Sequence, residues 1–243
     1  MTKTALLIAI EGIDGAGTTT QSRLLVDWMN ANGLPAYLTC EPSQGPIGLL
    51  LRQILSHQMR PLDSASLALL FAADRTDHLQ NEIAPQLAQG NHVITDRYVY
   101  SSLAYQSLDQ DLGWLAEINR MAPEPALTVY LRTDPDMARE RLKARKSQRD
   151  LFEVLELQRR IAMNYDAILG SSMTDGAWVL DPAGSRWSHR PPLIPEKKMV
   201  HRRLLPDLER QPQCAILDGS LSVETLHEQL RELIAKVDLQ SNS

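Results

Sequence analysis

The sequence predicts an α/β fold in which a parallel sheet is covered by helices on both faces. Three observations indicate this class. Short, wholly apolar segments such as Ala5–Ile10 are typical of central strands with two buried faces. Segments with helical spacing alternate with these strands along the chain. A glycine-rich turn at residues 12–17 joins the first strand to the first helix. This alternation requires crossover helices, which cover both sides of the sheet.

The individual elements follow from periodicity and from start and stop signals. The first helix shows apolar residues at helical spacing from Leu24 to Met29 and ends at Asn32-Gly33. Asp134 is a plausible N-cap, with Pro135 in the first turn of a helix to about Arg145. Further helices are predicted at Leu49–Leu55, Ser64–Leu79, Leu151–Leu169 and Val223–Val237. Strands are predicted at Ala5–Ile10, Ala36–Thr39, His92–Thr95, Leu127–Leu131, Trp178–Leu180 and Ala215–Leu217.

The composition excludes several classes of protein. The 243 residues are 43% hydrophobic and 23% charged, which is ordinary for a globular protein of one large domain. The net charge of −5 argues against a general nucleic-acid binder. Two cysteines, Cys40 and Cys214, are too few for a disulfide framework. No apolar run is long enough to span a membrane, so we expect a cytoplasmic protein with no membrane or nucleic-acid partner.

One segment, at about residues 181–213, departs from the alternation of strands and helices. It holds six of the 14 prolines and is rich in arginine and lysine. We interpret it as an insertion without regular core structure in a single domain that covers residues 1–243. A surface loop is the favoured interpretation, since long insertions cost little stability. A partner-binding arm and an additional flap near the site are the alternatives.

The glycine-rich turn resembles a phosphate-binding P-loop, whose pattern is G-x-x-x-x-G-K-[ST]. Gly12, Gly17 and Thr19 match it, and the helix N-terminus adds partial positive charge to the backbone N–H groups. Thr19 is placed to ligate magnesium. This motif predicts a three-layer fold of the P-loop NTPase type. The predicted ATP-binding residues are Gly12, Gly15, Ala16, Gly17, Thr18, Thr19 and Thr20.

Thr18 stands where the pattern has lysine. A hydroxyl can donate one hydrogen bond to an anion, worth roughly 1.5–3 kcal/mol at best. It does not supply the positive charge that lysine brings to the transferring phosphoryl group. ATP binding can therefore survive while the chemical step slows, unless another cation substitutes.

A second group of candidates follows the strand at His92–Thr95. Asp96 lies at its carboxyl end, where open α/β sheets place ligand chemistry. Arg97 can clamp a phosphate in bidentate fashion. Phe71 and Arg75 are four residues apart on one helix face, which suits stacking and hydrogen bonding to a nucleobase. The aromatic and amide side chains that could flank a base are Tyr98, Tyr105 and Gln106.

The chain resembles the thymidylate kinase family, P-loop enzymes that phosphorylate dTMP to dTDP with ATP and magnesium. The resemblance rests on EGIDGAG, Glu41-Pro42, FAADR, DRYVYSSLAYQ, RLKARKSQRDLFE and LDGSLSVETLHEQL, and it covers nearly everything except roughly residues 181–213. It implies a homodimer. Two departures are Thr18, and Cys40 where many members have an arginine that contacts phosphate.

The resemblance also implies residue roles. Asp14 would hold the 3′-hydroxyl of dTMP, Phe71 would stack on thymine and Arg75 would hydrogen-bond to it. Arg97 would bind the dTMP phosphate, and Asp96 would help to place magnesium or its water shell. The side chains closing around the nucleoside would be Ser101, Tyr105 and Gln106.

The segment 141–153 would be the lid over ATP. In one branch of the family the P-loop carries a small residue and the lid supplies catalytic arginines, and Ala16 with this cation-rich lid matches that branch. Arg145 or Arg149 would then partly replace the charge that Thr18 lacks. Three other functions stay open at this point: a non-catalytic nucleotide-binding protein, a kinase for another nucleoside monophosphate, and an interaction protein that docks through the insertion.

Overall fold

The computed structural model describes residues 5–143, 151–171, 177–180, 187–190 and 213–240. Within this part of the chain, seven strands form one sheet. The strands are β1 (Leu7–Glu11), β2 (Ala36–Cys40), β3 (His92–Asp96), β4 (Leu127–Arg132), β5 (Ala177–Leu180), β6 (Trp187–Arg190) and β7 (Gln213–Asp218). Their order is β2-β3-β1-β4-β7-β5-β6, and all neighbours are parallel except β5 and β6. The predicted α/β class with a parallel sheet is confirmed.

The described helices lie between these strands along the chain, except for the last one, which follows β7. They are α1 (Thr18–Ala31), α2 (Pro46–Leu55), α3 (Ser64–His78), α4 (Ala84–Ala88), α5 (Val99–Gln106), α6 (Leu112–Ile118), α7 (Pro135–Lys143), α8 (Leu151–Ser171) and α9 (Val223–Gln240). The N-cap prediction for α7 is confirmed, because Asp134 Oδ1 accepts hydrogen bonds from the N–H groups of Asp136 and Met137 at 2.9 and 3.1 Å. None of the described helices is long and apolar enough to cross a bilayer.

Strand β1 buries both of its faces, as its apolar sequence predicts. Ile8 and Ile10 belong to one hydrophobic cluster, which also contains Leu25 of α1. The alternate residues Leu7 and Ala9 belong to a second cluster, with residues of β3 and of the segment after α3. Since successive side chains of a strand point to opposite faces, the sheet is covered on both sides.

Two sequence expectations about the helices differ from the structure. The helix predicted at Ser64–Leu79 ends at His78 and continues as a π-helical turn, Leu79–Ile83. Pro85 follows this turn, and its missing N–H disturbs the regular hydrogen-bond pattern there. Helices α4, α5 and α6 are not predicted from the sequence, because all three are short and their apolar periodicity is weak.

The segment at about 181–213 was expected to lack regular structure, and this expectation is wrong at Trp187–Arg190. These residues form β6, an antiparallel strand paired with β5 from Ala177↔Arg190 to Leu180↔Trp187. The tetrapeptide Trp-Ser-His-Arg has no strand signature of its own. Pairing with the backbone of β5 is a tertiary event that local sequence does not encode.

Candidate active site

The turn between β1 and α1 has the conformation of an anion-binding loop. Gly15 and Gly17 adopt positive φ angles of 87° and 95°, which side chains strongly disfavour. Gly17 directly precedes α1, and the first backbone bond of the helix runs from the Gln21 N–H to the Gly17 carbonyl at 3.0 Å. The N–H groups of residues 18–20 therefore have no acceptor within the helix. They converge, with the positive end of the helix dipole, on the space in front of α1.

Helix α7 packs directly on this loop. A Cβ atom added to Gly15 would lie 2.4 Å from the Ala138 carbonyl oxygen, so only glycine permits this approach. Arg141, three residues further along α7, donates from Nη1 to the Gly15 carbonyl at 3.4 Å. A cationic side chain of the predicted lid, Arg141, therefore contacts the P-loop.

Thr19 and Asp96, the two predicted magnesium residues, are in direct contact. The Thr19 hydroxyl donates to Asp96 Oδ2 at 2.5 Å. The other carboxylate oxygen, Oδ1, is buried and has no hydrogen-bond partner among the described residues. The same residues contain no group of three His, Cys, Asp or Glu side chains that could hold a metal ion by itself. One carboxylate and one hydroxyl suit Mg²⁺, which usually binds through one or two protein ligands plus phosphates and waters.

A cluster of charged and aromatic side chains lies next to this pair. Arg97 donates from Nη2 to Asp14 Oδ1 at 2.7 Å and from Nη1 to the Gly12 carbonyl at 2.8 Å. Its guanidinium stacks over the Tyr105 ring at 5.0 Å, and the Tyr105 hydroxyl donates to the same Asp14 oxygen at 3.0 Å. The Arg97 backbone has a φ of 71°, an uncommon value for a residue with a side chain. Such strained residues concentrate at functional sites.

Comparison with known proteins shows which family contains this arrangement. The family model described as "Thymidylate kinase" matches residues 10–176, which include the P-loop, Asp96, Arg97 and helix α8. The chain belongs to the thymidylate kinase family. The resemblance seen in the sequence motifs is thereby confirmed.

Three of these relatives are each named "Probable thymidylate kinase". The protein of Pyrococcus horikoshii is 41% identical over 164 residues, which are 65% of this chain and 80% of the relative. That of Thermococcus kodakarensis is 40% identical over 168 residues, 66% of this chain and 82% of the relative. That of Methanococcus aeolicus is 40% identical over 167 residues, 68% of this chain and 80% of the relative.

The structure brings most of the thymidylate kinase candidates together. The side chains joined by hydrogen bonds around Arg97 and Asp96 are those of Asp14, Thr19, Ser101 and Tyr105. Phe71 is half-buried on α3. Gln106 lies at the end of α5, and its Oε1 is buried with no hydrogen-bond partner in the described part of the chain. Arg145 and Arg149 lie outside the described residues, so their predicted catalytic role stays a prediction.

Arg75, the predicted base-binding residue, is held in a buried network. It is 2% exposed. Its Nε and Nη2 donate to Glu41 Oε2 at 2.9 and 2.6 Å, and Nη1 donates to Asn119 Oδ1. Nη2 also donates to Ser102 Oγ at 2.9 Å, which connects the network to α5. This bracing fixes the guanidinium on the α3 side of the site.

Glu11 is a functional candidate that sequence reasoning missed, although it lies within the EGIDGAG motif. It is fully buried at the end of β1 and accepts hydrogen bonds from the Tyr98 N–H, the Ser101 hydroxyl and the Tyr165 hydroxyl at 2.9, 2.5 and 2.9 Å. Burial raises the pKa of its carboxyl group, against the lowering effects of Ser101, Arg97 and Tyr165. A charged residue ending an otherwise apolar strand was the signal that could have found it.

Arg52 is a second residue that sequence reasoning missed, and it contacts Cys40. Its Nη2 lies 3.4 Å from Cys40 Sγ, and both Nη atoms donate to the Pro42 carbonyl, at 2.8 and 2.5 Å. A guanidinium from α2 therefore lies beside Cys40. Residue spacing along α2 alone gave no reason to expect it there.

Gln158 of α8 is the third missed residue. Its side chain contacts both the backbone and the carboxylate of Asp14, at 3.1 and 3.3 Å. A lone amide on the buried face of a helix, between Leu155 and Ile161, was the only signal in the sequence.

Proposed function

We propose that this chain transfers the γ-phosphoryl group of ATP to the phosphate of dTMP, giving ADP and dTDP for dTTP synthesis. The observation that carries the proposal is the contact of Asp14 with Arg97 and Tyr105 beside the P-loop, in a chain of the thymidylate kinase family. An anion-binding loop for the donor and an arginine for the acceptor phosphate thereby meet at the carboxyl ends of β1 and β3.

Positioning and electrostatics account for the catalysis in this proposal. Backbone N–H groups of residues 15–20 bind the donor phosphates. Arg97 binds the acceptor phosphate, Asp14 binds the sugar, and Phe71 and Arg75 bind the base, with Ser101, Tyr105 and Gln106 closing around the nucleoside. The attacking atom is an ionised oxygen of the acceptor phosphate, so no general base is needed.

Thr19 and Asp96 would hold the magnesium ion. The fit rests on the buried, unpartnered Asp96 Oδ1 and on the adjacent Thr19 hydroxyl. When bound, the ion neutralises charge on the β- and γ-phosphate oxygens. Asp96 would orient the ion or its water shell, and Thr19 would supply a hydroxyl oxygen.

The charge that Thr18 does not supply would come from the lid. Thr18 is 5% exposed, at the first position of α1. Arg141 already contacts the P-loop at Gly15, and Arg145 and Arg149 follow it in the same cation-rich segment. Closure of this segment over ATP would exclude water and bring guanidinium groups to the transferring phosphoryl.

The deciding experiment measures ADP release with ATP and magnesium, using dTMP, dUMP, dCMP and AMP as acceptors. We expect turnover on dTMP to exceed that on the other three. Absent turnover, combined with calorimetric binding of dTMP, would contradict the proposal and indicate a nucleotide-binding protein. A preference for another acceptor would make the chain a different nucleoside-monophosphate kinase.

Two variants locate the compensating charge. Thr18→Lys restores the P-loop lysine, and Arg145→Ala/Arg149→Ala removes two lid cations. If the lid replaces the lysine, the double variant loses turnover and Thr18→Lys introduced into it restores part of that loss. Unchanged turnover in the double variant would contradict the role of these two arginines.

We also propose that the protein is a cytoplasmic homodimer. Leu49 and Leu55 on α2 and Leu69 on α3 are each about half exposed, and these two helices pack side by side. An apolar surface on adjacent helices supports association of two copies. Both cysteines are free, which suits a reducing compartment. Light scattering on the purified protein and on Leu69→Lys tests the dimer: the variant should be monomeric, and a monomeric unmodified protein would contradict it.

A further inference from the structure

Among the described side chains of α8, that of Gln158 reaches the P-loop. Its Oε1 accepts a hydrogen bond from the Asp14 N–H at 3.1 Å, and its Nε2 donates to Asp14 Oδ2 at 3.3 Å. Because a backbone N–H can only donate, Oε1 must face it, and Nε2 must then face the carboxylate. A single amide thus holds both the backbone and the side chain of one P-loop residue.

The burial of Gln158 indicates that these contacts matter. The residue is 4% exposed, and the same face of α8 carries the apolar residues Leu155 and Ile161. Leaving a buried amide without hydrogen bonds costs free energy, and Gln158 makes one with each end of its amide group. Tyr165 lies two turns further along this face, and its hydroxyl donates a hydrogen bond to Glu11. Glu11 also accepts a hydrogen bond from Ser101, whose hydroxyl accepts one from Arg97. One face of α8 therefore supports both Asp14 and the residues around Arg97.

The two oxygens of the Asp14 carboxylate have different partners. Oδ1 accepts from Arg97 and Tyr105, at 2.7 and 3.0 Å, whereas within the described ranges Oδ2 accepts only from Gln158. A carboxylate oxygen can accept two hydrogen bonds, so Oδ2 retains one acceptor position. The Asp14 side chain is 52% exposed, and a ligand can reach it from the solvent.

We propose that Gln158 is a positioning residue for the acceptor: it orients Asp14 so that Oδ2 accepts a hydrogen bond from the 3′-hydroxyl of a deoxyribonucleoside monophosphate. The inference rests on the proposed function, in which Asp14 binds the sugar. It adds that α8, the helix that begins inside the lid segment, sets the orientation of that carboxylate. Gln158 acts through Asp14 and does not touch the substrate.

The test compares dTMP with its 3′-deoxy analogue as acceptors for the unmodified protein and for Gln158→Leu. We expect kcat/KM for dTMP to fall about tenfold in the variant, mainly through KM, as for the loss of one hydrogen bond to a charged group. The value for the 3′-deoxy analogue should change less than about twofold. The preference for the 3′-hydroxyl should therefore shrink, which a general loss of stability does not produce.

Asn164→Leu is the matched control. Asn164 is another amide of α8, and it donates to the Ala104 carbonyl and to Ser107 Oγ, away from Asp14. This variant should lower the thermal midpoint without changing the preference for the 3′-hydroxyl. Gln158→Met, which is closer to glutamine in shape, replaces Gln158→Leu if the latter does not fold.

An undiminished preference for dTMP in a folded Gln158 variant would overturn the inference while leaving the proposed function intact. Equal use of dTMP and the 3′-deoxy analogue by the unmodified protein would overturn it as well. If the unmodified protein does not turn over dTMP, the proposed function fails. The same comparison of the two nucleotides, made on Kd values from calorimetry, then decides the inference separately.

Discussion

The Thr19 hydroxyl donates a hydrogen bond of 2.5 Å to Asp96 Oδ2, although the two residues are 77 positions apart in the chain. The contact joins the first turn of α1 to the end of β3, because parallel neighbouring strands bring their carboxyl ends to the same edge of the sheet. It places the two oxygen ligands that we propose for magnesium side by side.

Asp96→Asn should weaken the dependence of the reaction on magnesium. The amide keeps the size of the side chain and loses the negative charge, so the apparent magnesium affinity should fall about 10–100-fold. The measurement is a magnesium titration of ADP release at saturating ATP and dTMP. Asp218→Asn, an exposed carboxylate at the end of β7, is the control. An unchanged titration midpoint in Asp96→Asn would contradict the assignment.

Arg97→Lys should impair use of the acceptor. Lysine keeps the charge but loses the planar fork that contacts Asp14, Gly12 and Tyr105, so kcat/KM for dTMP should fall about 100-fold. Arg132→Lys is the matched control, since Arg132 is 63% exposed and pairs with Asp166 at the surface. Steady-state kinetics at varied dTMP concentration measure the effect. Similar values for both variants would rule out a role for Arg97 in acceptor binding.

Glu41→Gln should destabilise the fold because it leaves Arg75 buried without its counter-charge. The side chains of the pair are 2% and 4% exposed, and removing one partner of a buried pair costs about 3–5 kcal/mol. Asp136→Asn breaks the pair with Arg159, in which both side chains are 49% exposed, and should lower the free energy of unfolding far less. Urea unfolding compares the two variants. Equal losses would show that burial of the Arg75–Glu41 pair does not contribute.

Glu11 should make stability depend on pH. Burial raises the pKa of its carboxyl above the ordinary 4.5, so the folded state binds the proton more tightly than the unfolded state. Its stabilising contribution is therefore complete below pH 4.5 and is lost as the pH rises through the folded-state pKa. The free energy of unfolding of the unmodified protein, relative to Glu11→Gln, should accordingly decline from pH 4.5 upward.

The measurement for Glu11 is urea unfolding at a series of pH values. The control is Glu117→Gln, an exposed position whose stability difference from the unmodified protein should stay flat. If the free energy of unfolding of the unmodified protein, relative to that of Glu11→Gln, instead rises with pH, the folded state stabilises the ionised carboxylate and the prediction is wrong.

Apolar segments and capping residues in the sequence correctly predicted several strands and helices. The apolar segment before Gly12 gave β1, the Asp134-Pro135 pair gave the start of α7, and the strand end at Asp96 gave one side of the site. The short helices α4, α5 and α6 and the strand β6 were missed, because contacts with the rest of the fold stabilise them and their own periodicity is weak.

The sequence by itself determined the fold class, the anion-binding loop, the family and the positions of Asp14, Asp96 and Arg97, because each is encoded within a few neighbouring residues. Tertiary structure alone decided which partners hold them. Gln158 meets Asp14 across 144 residues, and Tyr165 meets Glu11 across 154. Such contacts depend on how α8 packs against the sheet, because side-chain hydrogen bonds act only over short distances. Periodicity along one helix shows which face is buried, and the identity of the opposing residue follows only from the folded chain.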